Sequence, residues 1–156
     1  MAIIDKEIAE YIEKTPLVEL ATVRSDGAPV VRTLGAFAPA DGGATVYFVT
    51  HPDAEKTRHI QGNHRVSLFF QHEGQALPEF RNVALIGTAA RIADGQERAR
   101  AVELTSARSA YVKERVSKEG DGVFEFYKVT ATEVKYLDYR KGIGPGAVRN
   151  IVLQGN

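Results

Sequence analysis

The sequence predicts an α+β domain: a six-stranded antiparallel split β-barrel with flanking helices. Three features carry that expectation. About six stretches are rich in β-branched and aromatic residues, as a pleated, half-buried surface prefers. The early ones are joined by short Asp-Gly turns, at Asp26-Gly27 and Asp41-Gly42, which favour antiparallel neighbours over a doubly wound parallel sheet. A glycine, Gly87, interrupts the longest stretch, where it suits a bulge or bend. Curving strands of this kind suit a small closed or split barrel, because closure removes exposed edges.

Taken in order, Ile4, Ile8, Tyr11 and Ile12 fall at helical spacing among acidic and basic residues, and Pro16 ends that helix. Leu17 to Val23 reads as the first strand and Pro29 to Phe37 as the second. Thr45 to Thr50 is the third, completing an antiparallel meander. His51-Pro52 stops it, since proline restricts the residue before it and donates no hydrogen bond. Asp53 then caps a short helix that runs to Gln61. Val66 to Phe70 returns to strand, and after a polar loop a long strand covers Phe80 to Ile92. Asp94-Gly-Gln-Glu97 has the form of a capping box opening a helix towards Lys118, with a break near Ser109. A final strand spans Val123 to about Tyr139, and the glycine-rich tail from about residue 140 reads as irregular.

With 156 residues, 44% hydrophobic and 26% charged, one domain over 1–156 is the natural division. The formal net charge is zero, so no basic field points to nucleic acid. Cysteine is absent, which excludes disulfides, thiolate nucleophiles and zinc–thiolate sites. No apolar run approaches the ~20 residues of a membrane span, and the charged N-terminus lacks a signal-peptide core, so a cytoplasmic protein is expected. His51, His59, His64 and His72 show no metal-binding spacing and read as surface or loop residues. No GxSxG elbow or GxxxxGK[ST] loop occurs.

Two cations stand out. Lys56 falls in the first turn of the helix after Pro52, where free N–H groups and the positive dipole end favour an anion and not a lysine. A phosphate seat would account for it; a solvated surface lysine is the alternative. Arg32 lies mid-strand on one face with Val30, Leu34 and Ala36. There it needs a carboxylate or phosphate, unless it forms an internal ion pair or snorkels to water. Read as neighbouring strands, the two segments could bring both cations to one phosphate.

From Leu17 to Ile92 the order of elements resembles the FMN-binding split β-barrels related to pyridoxine 5'-phosphate oxidase, above all the small stress-protein-like members. The resemblance implies FMN contacts from Arg32, Thr33 and Leu34 on the second strand and from Val49-Thr50 at the end of the third. A Ser-Arg-Lys group would follow; Ala54, Glu55 and Lys56 stand there, so only the lysine matches. NHRVSLFF, Asn63 to Phe70, matches a further family stretch, and Arg81-Asn82-Val83 stands where the family has Arg-Gln-Val, making Asn82 the residue implied at the flavin's polar edge. Two departures concern the substrate. The chain has no tryptophan, and YLDYRKGIGPG lacks the C-terminal Arg-x-His of true pyridoxine phosphate oxidases.

The resemblance therefore implies an FMN-dependent oxidoreductase of unknown substrate, working as a homodimer, without pyridoxine phosphate oxidase activity. No protein acid or base is needed for hydride transfer to a flavin, so no catalytic residue is assigned. A non-enzymatic flavin- or haem-binding module for storage, sensing or stress response is a second reading. A deazaflavin-dependent reductase is a third.

Overall fold

The computed structural model describes residues 4–153. Its strands are β1 (Val18–Val23), β2 (Pro29–Leu34), β3 (Phe37–Ala40), β4 (Thr45–Thr50), β5 (Arg65–Phe70), β6 (Arg81–Arg91), β7 (Glu125–Asp138) and β8 (Val148–Val152). The helices are α1 (Lys6–Glu13), α2 (Glu55–Gly62), α3 (Gly95–Arg108) and α4 (Ala110–Glu119). The strands pair antiparallel in the order β2-β1-β5-β6-β7-β4-β3, with β8 added along β7. This is the expected α+β split barrel, with eight strands among the described residues where six were expected. Among the described residues, no helix is long and apolar enough to cross a membrane.

The two extra strands have separate causes. The stretch from Pro29 to Phe37 is not one strand: it breaks at Gly35-Ala36, and its halves lie at opposite edges of the sheet. β2 pairs with β1, from Val18↔Leu34 to Val23↔Pro29, while β3 pairs with β4. The expected meander is therefore replaced by a crossing segment that closes the barrel, where the Val49 amide donates to the Ala36 carbonyl at 3.1 Å. Pro39 lacks an N–H, and the edge position of β3 suits it. The other addition is β8. The tail turns through two short 3-10 segments and then pairs with Leu137 to Glu133 of β7, where β4 no longer covers that edge.

Apolar alternation explains the core. β4 is buried along its whole length because it serves two clusters. Val46 and Phe48 face the barrel interior with Leu20, Leu68, Leu85 and α1's Ile8 and Ile12. Tyr47 and Val49 face α3 and α4, against Ala101, Val112, Phe124 and Phe126. The helical break falls at Ser109, whose hydroxyl accepts from the Val112 amide at 3.2 Å and so caps α4. Asp94 caps α3 by accepting from the Glu97 amide at 2.8 Å. Glu97 does not return the bond. Its carboxylate instead takes Lys128 Nζ at 2.9 Å and the Tyr47 hydroxyl at 3.1 Å, so the capping box is half formed.

The tail is held by charge. Arg140 forms ion pairs with Asp138 (2.9 Å) and with Glu7 of α1, and Arg149 pairs with Asp5. The Tyr136 hydroxyl and Arg140 hold the Glu7 carboxyl below its ordinary value, and Arg140 does the same for Asp138. A lowered folded value means that this stabilisation is present above the unfolded carboxylate pKa of about 4 and is lost as pH falls through the folded values. Acidification below the ordinary carboxylate range, about pH 4, should therefore release β8 before the barrel opens. Amide hydrogen exchange at Arg149–Val152 measures this, and Asp138→Asn should remove much of the pH dependence.

Candidate functional site

β4 ends at Thr50 because Pro52 follows, and the chain turns at once into α2. The helix starts at Glu55 with Ala54 at its N-cap and no side-chain cap. Asp53, expected as the cap, lies one residue too early; its carbonyl instead accepts from Arg58 Nη1 at 3.1 Å. The first N–H groups of α2 thus receive no side-chain oxygen. Ile60, Thr57 and His59 are buried and hold the helix against the barrel. His59, expected at the surface or in a loop, is an interior residue.

Lys56 reaches back from α2 to β4, where its Nζ donates to Thr50 Oγ1 at 3.0 Å. Burial pushes its pKa down, and the nearby charge of Arg32 pushes it further in the same direction. Arg32 stands opposite Leu20 on β1 and turns into the barrel's end. Its Nη1 donates to Thr22 Oγ1 at 2.6 Å and to the carbonyls of Val30 (3.2 Å) and Leu20 (3.4 Å). Burial lowers its pKa too, opposed by the more distant charge of Glu55. Among the described residues, no carboxylate oxygen lies within 4.0 Å of a charged nitrogen of either residue. Two neighbouring, partly desolvated cations that form no ion pair among the described residues make a place where an anion is favoured.

Beside them lies a pocket of about 380 Å³. Five residues singled out in the sequence line it: Thr33, Leu34, Val49, Thr50 and Lys56. Arg32 stands next to it, held by Thr22. Asn82 is on β6, paired with Leu137 and donating to Gln71 Oε1 at 3.2 Å, and does not line this pocket. The opposite wall comes from residues that the sequence reading missed. Ser109, Tyr111 and Val112 from the α3–α4 break belong to it, with His51 and Phe124. Phe124 packs against His51 and Tyr111 at ring-centroid distances of 5.7 and 6.0 Å. Ser109 carried a signal, the helix break before Ala110-Tyr111; Phe124 carried none, because only the fold brings it here. Among the described residues there is no cluster of three or more side chains suited to a metal ion.

Several solved structures share this architecture. The chain aligns with a conserved hypothetical protein, Rv2991, of Mycobacterium tuberculosis at TM-score 0.74 and 20% identity, covering 99% of this chain and 94% of that one. A heme binding protein of Mycobacterium smegmatis aligns at TM-score 0.74 and 17% identity over 97% of this chain, which spans 60% of that protein's length. A protein of Clostridium acetobutylicum related to general stress protein 26, of the pyridoxinephosphate oxidase family, aligns at TM-score 0.68 and 18% identity, covering 97% and 96% of the two chains. At these identities the likeness is one of fold. No curated protein matches the chain by sequence. The sequence model of pyridoxamine 5'-phosphate oxidase matches residues 4–138, nearly the whole chain. With the split barrel and that match together, this protein is a member of the pyridoxamine 5'-phosphate oxidase family.

Proposed function

We propose that the protein is an FMN-binding flavoprotein, an oxidoreductase acting on a substrate other than pyridoxine phosphate. The observation that carries this reading is the pairing of Lys56, in the wall of a largely apolar pocket, with the neighbouring Arg32, two cations that form no ion pair among the described residues. A phosphate suits the cations, aided by the uncapped start of α2. A planar ring system suits walls made by Leu34, Val49, Val112 and Phe124, and about 380 Å³ falls within the usual range of small-molecule sites. Thr33 and Thr50 supply hydroxyls for orientation. FMN bound there would supply the electron chemistry, while the chain supplies position, charge and exclusion of water.

A homodimer fits the same reading. The outer face of β1, β2 and β5 exposes Leu17, Val31 and Phe69, and Asn82 lies at the β6 side of that face. A second copy packed there would cover the apolar side chains and bring its own Asn82 towards a flavin. Pyridoxine phosphate oxidation would need a further grip on the substrate's phosphate. Arg140 is unsuited to that role, since Asp138 and Glu7 already hold its guanidinium.

His51 in the pocket wall supports a second reading, haem, because an imidazole there would be able to bind the iron. The absorbance spectrum of protein titrated with each cofactor separates the two. Flavin binding, a dimer by light scattering and no pyridoxal phosphate formed from pyridoxamine phosphate are the expected results. Binding of haem with none of FMN at high micromolar concentration would overturn the proposal. A monomer with FMN bound would overturn the shared site, and turnover to pyridoxal phosphate the substrate assignment.

A further inference from the structure

Behind Arg32 lies a chain of polar groups that the proposed site does not itself use. Thr22, on β1, is 1% exposed, and His59, on α2, is 9% exposed. Thr22 Oγ1 is 2.8 Å from His59 Nδ1, and His59 Nε2 is 3.1 Å from Glu55 Oε1 one helical turn earlier. Arg32 Nη1 donates to Thr22 Oγ1 at 2.6 Å, and Arg32 Nη2 lies 3.4 Å from His59 Nδ1.

Proton directions follow from donor and acceptor capacity. A guanidinium only donates, so the Thr22 oxygen accepts from Arg32 and its own hydroxyl hydrogen is free to point at His59 Nδ1. Nδ1 then accepts, which places the imidazole hydrogen on Nε2, where the Glu55 carboxylate takes it. The opposite tautomer would set an N–H of the ring against the guanidinium and leave Glu55 facing a bare nitrogen. The order is therefore Arg32 to Thr22 to His59 to Glu55, with each donor used once along the line.

We infer that Thr22 and His59 are positioning residues that fix Arg32 by its Nη1 end, leaving the Nε–Nη2 edge to grip a phosphate in bidentate fashion. Nη1 is turned to Thr22 and to the Val30 and Leu20 carbonyls. Among the described residues, Nε takes no protein acceptor and Nη2 has the long contact to His59 alone. A guanidinium edge held rigid beforehand binds a phosphate with less loss of side-chain freedom than one that must be ordered on binding. Glu55 is 60% exposed at its side chain, so its share is the weaker one: it selects the tautomer and adds little by charge.

The inference rests on the FMN reading for its ligand, but not for its geometry, and two measurements keep these apart. In cofactor-free protein, nitrogen-15 NMR of the His59 ring should show hydrogen on Nε2 and a bare Nδ1. Hydrogen on Nδ1 would overturn the relay whatever the protein binds. In titrations, Thr22→Val and His59→Leu should each weaken FMN by about tenfold, the effect of a misplaced charged hydrogen bond. Riboflavin, which has no phosphate, should bind them as it binds wild type. Thr22→Ser retains the hydroxyl, and His59→Asn retains an acceptor at the place of Nδ1; both should recover most of the loss. An unchanged ratio of FMN to riboflavin affinity in Thr22→Val, with wild type clearly preferring FMN, would overturn the positioning role. If wild type itself does not prefer FMN, the phosphate assignment falls, and the ring tautomer still decides the relay.

Discussion

Replacing Arg32 or Lys56 by alanine is expected to weaken FMN by roughly tenfold to hundredfold, because a hydrogen bond to a charged group contributes about 1.5–3 kcal/mol. Riboflavin affinity should stay within a few-fold of wild type in both variants, and that contrast assigns the loss to the phosphate. Stability should move differently. Lys56 is partly desolvated with, among the described residues, only the Thr50 hydroxyl as partner, and Arg32's charge opposes it. Removing it relieves an uncompensated charge, so Lys56→Ala should unfold at the same temperature as wild type or higher when cofactor is absent. With FMN bound the order should reverse, since bound ligand stabilises the folded state by mass action. Isothermal titration with both ligands and thermal melts with and without FMN measure all of this. An equal loss of riboflavin affinity would show that the two cations support the flavin ring or the fold, and not the phosphate.

What could be read from the sequence divides along the same lines as the forces involved. Most local signals held, although Asp53 does not cap α2. The Asp94 cap, the break at Ser109 and the end of β4 before Pro52 depend on neighbours in the chain, and the fold keeps all three. Pairing was less legible. Nothing within Pro29 to Phe37 announces that Val30 and Phe37 belong to opposite edges of the sheet, because that follows from barrel closure. β8 was missed because its side chains are mostly exposed and its sequence lacks alternation, so only the open edge of β7 explains it. At the candidate site, Lys56 and Arg32 stand out in the sequence because each looks misplaced: a lysine at a helix start, an arginine on an apolar strand face. Residues that are ordinary where they stand gave no such signal. Phe124 and Tyr111 reach the pocket by tertiary packing, and His59 reads as a surface histidine until α2 is laid against β1. The Arg-Asn-Val stretch places Asn82 on the long strand β6, where it does not line the pocket.

The largest loss of stability is expected from Gly87→Ala. Gly87 sits in β6, where the register against β7 shifts between Ile86 and Gly87. Ile86 pairs with Glu133 and Gly87 with Ala131, so the unpaired residue of the bulge is Thr132, on the partner strand. The glycine is what lets the bulge close. A Cβ at position 87 would stand 2.0 Å from the Thr130 carbonyl oxygen and 2.9 Å from its carbon. Both are backbone atoms of a paired strand, so no flexible side chain can yield, and β6 and β7 must part locally. We expect a cost of about 3 kcal/mol or more, at the upper end for overpacking. For a domain of this size that is a fall of roughly 6–12 °C in Tm. The damage should reach the site as well. Thr130 pairs with Thr45 of β4, and the Ala131 amide donates to the Ala44 carbonyl at 3.0 Å, so a displaced β7 pulls on the strand that ends in Val49 and Thr50. Gly95→Ala is the control, since a Cβ there meets nothing within 4 Å, and alanine at a helix start should be neutral or stabilise by about 0.4–1 kcal/mol. Thermal and denaturant melts of the two variants beside wild type decide it. A Gly87→Ala protein melting with wild type would mean that β6 and β7 do not approach this closely, and the bulge would have to be placed elsewhere along β7.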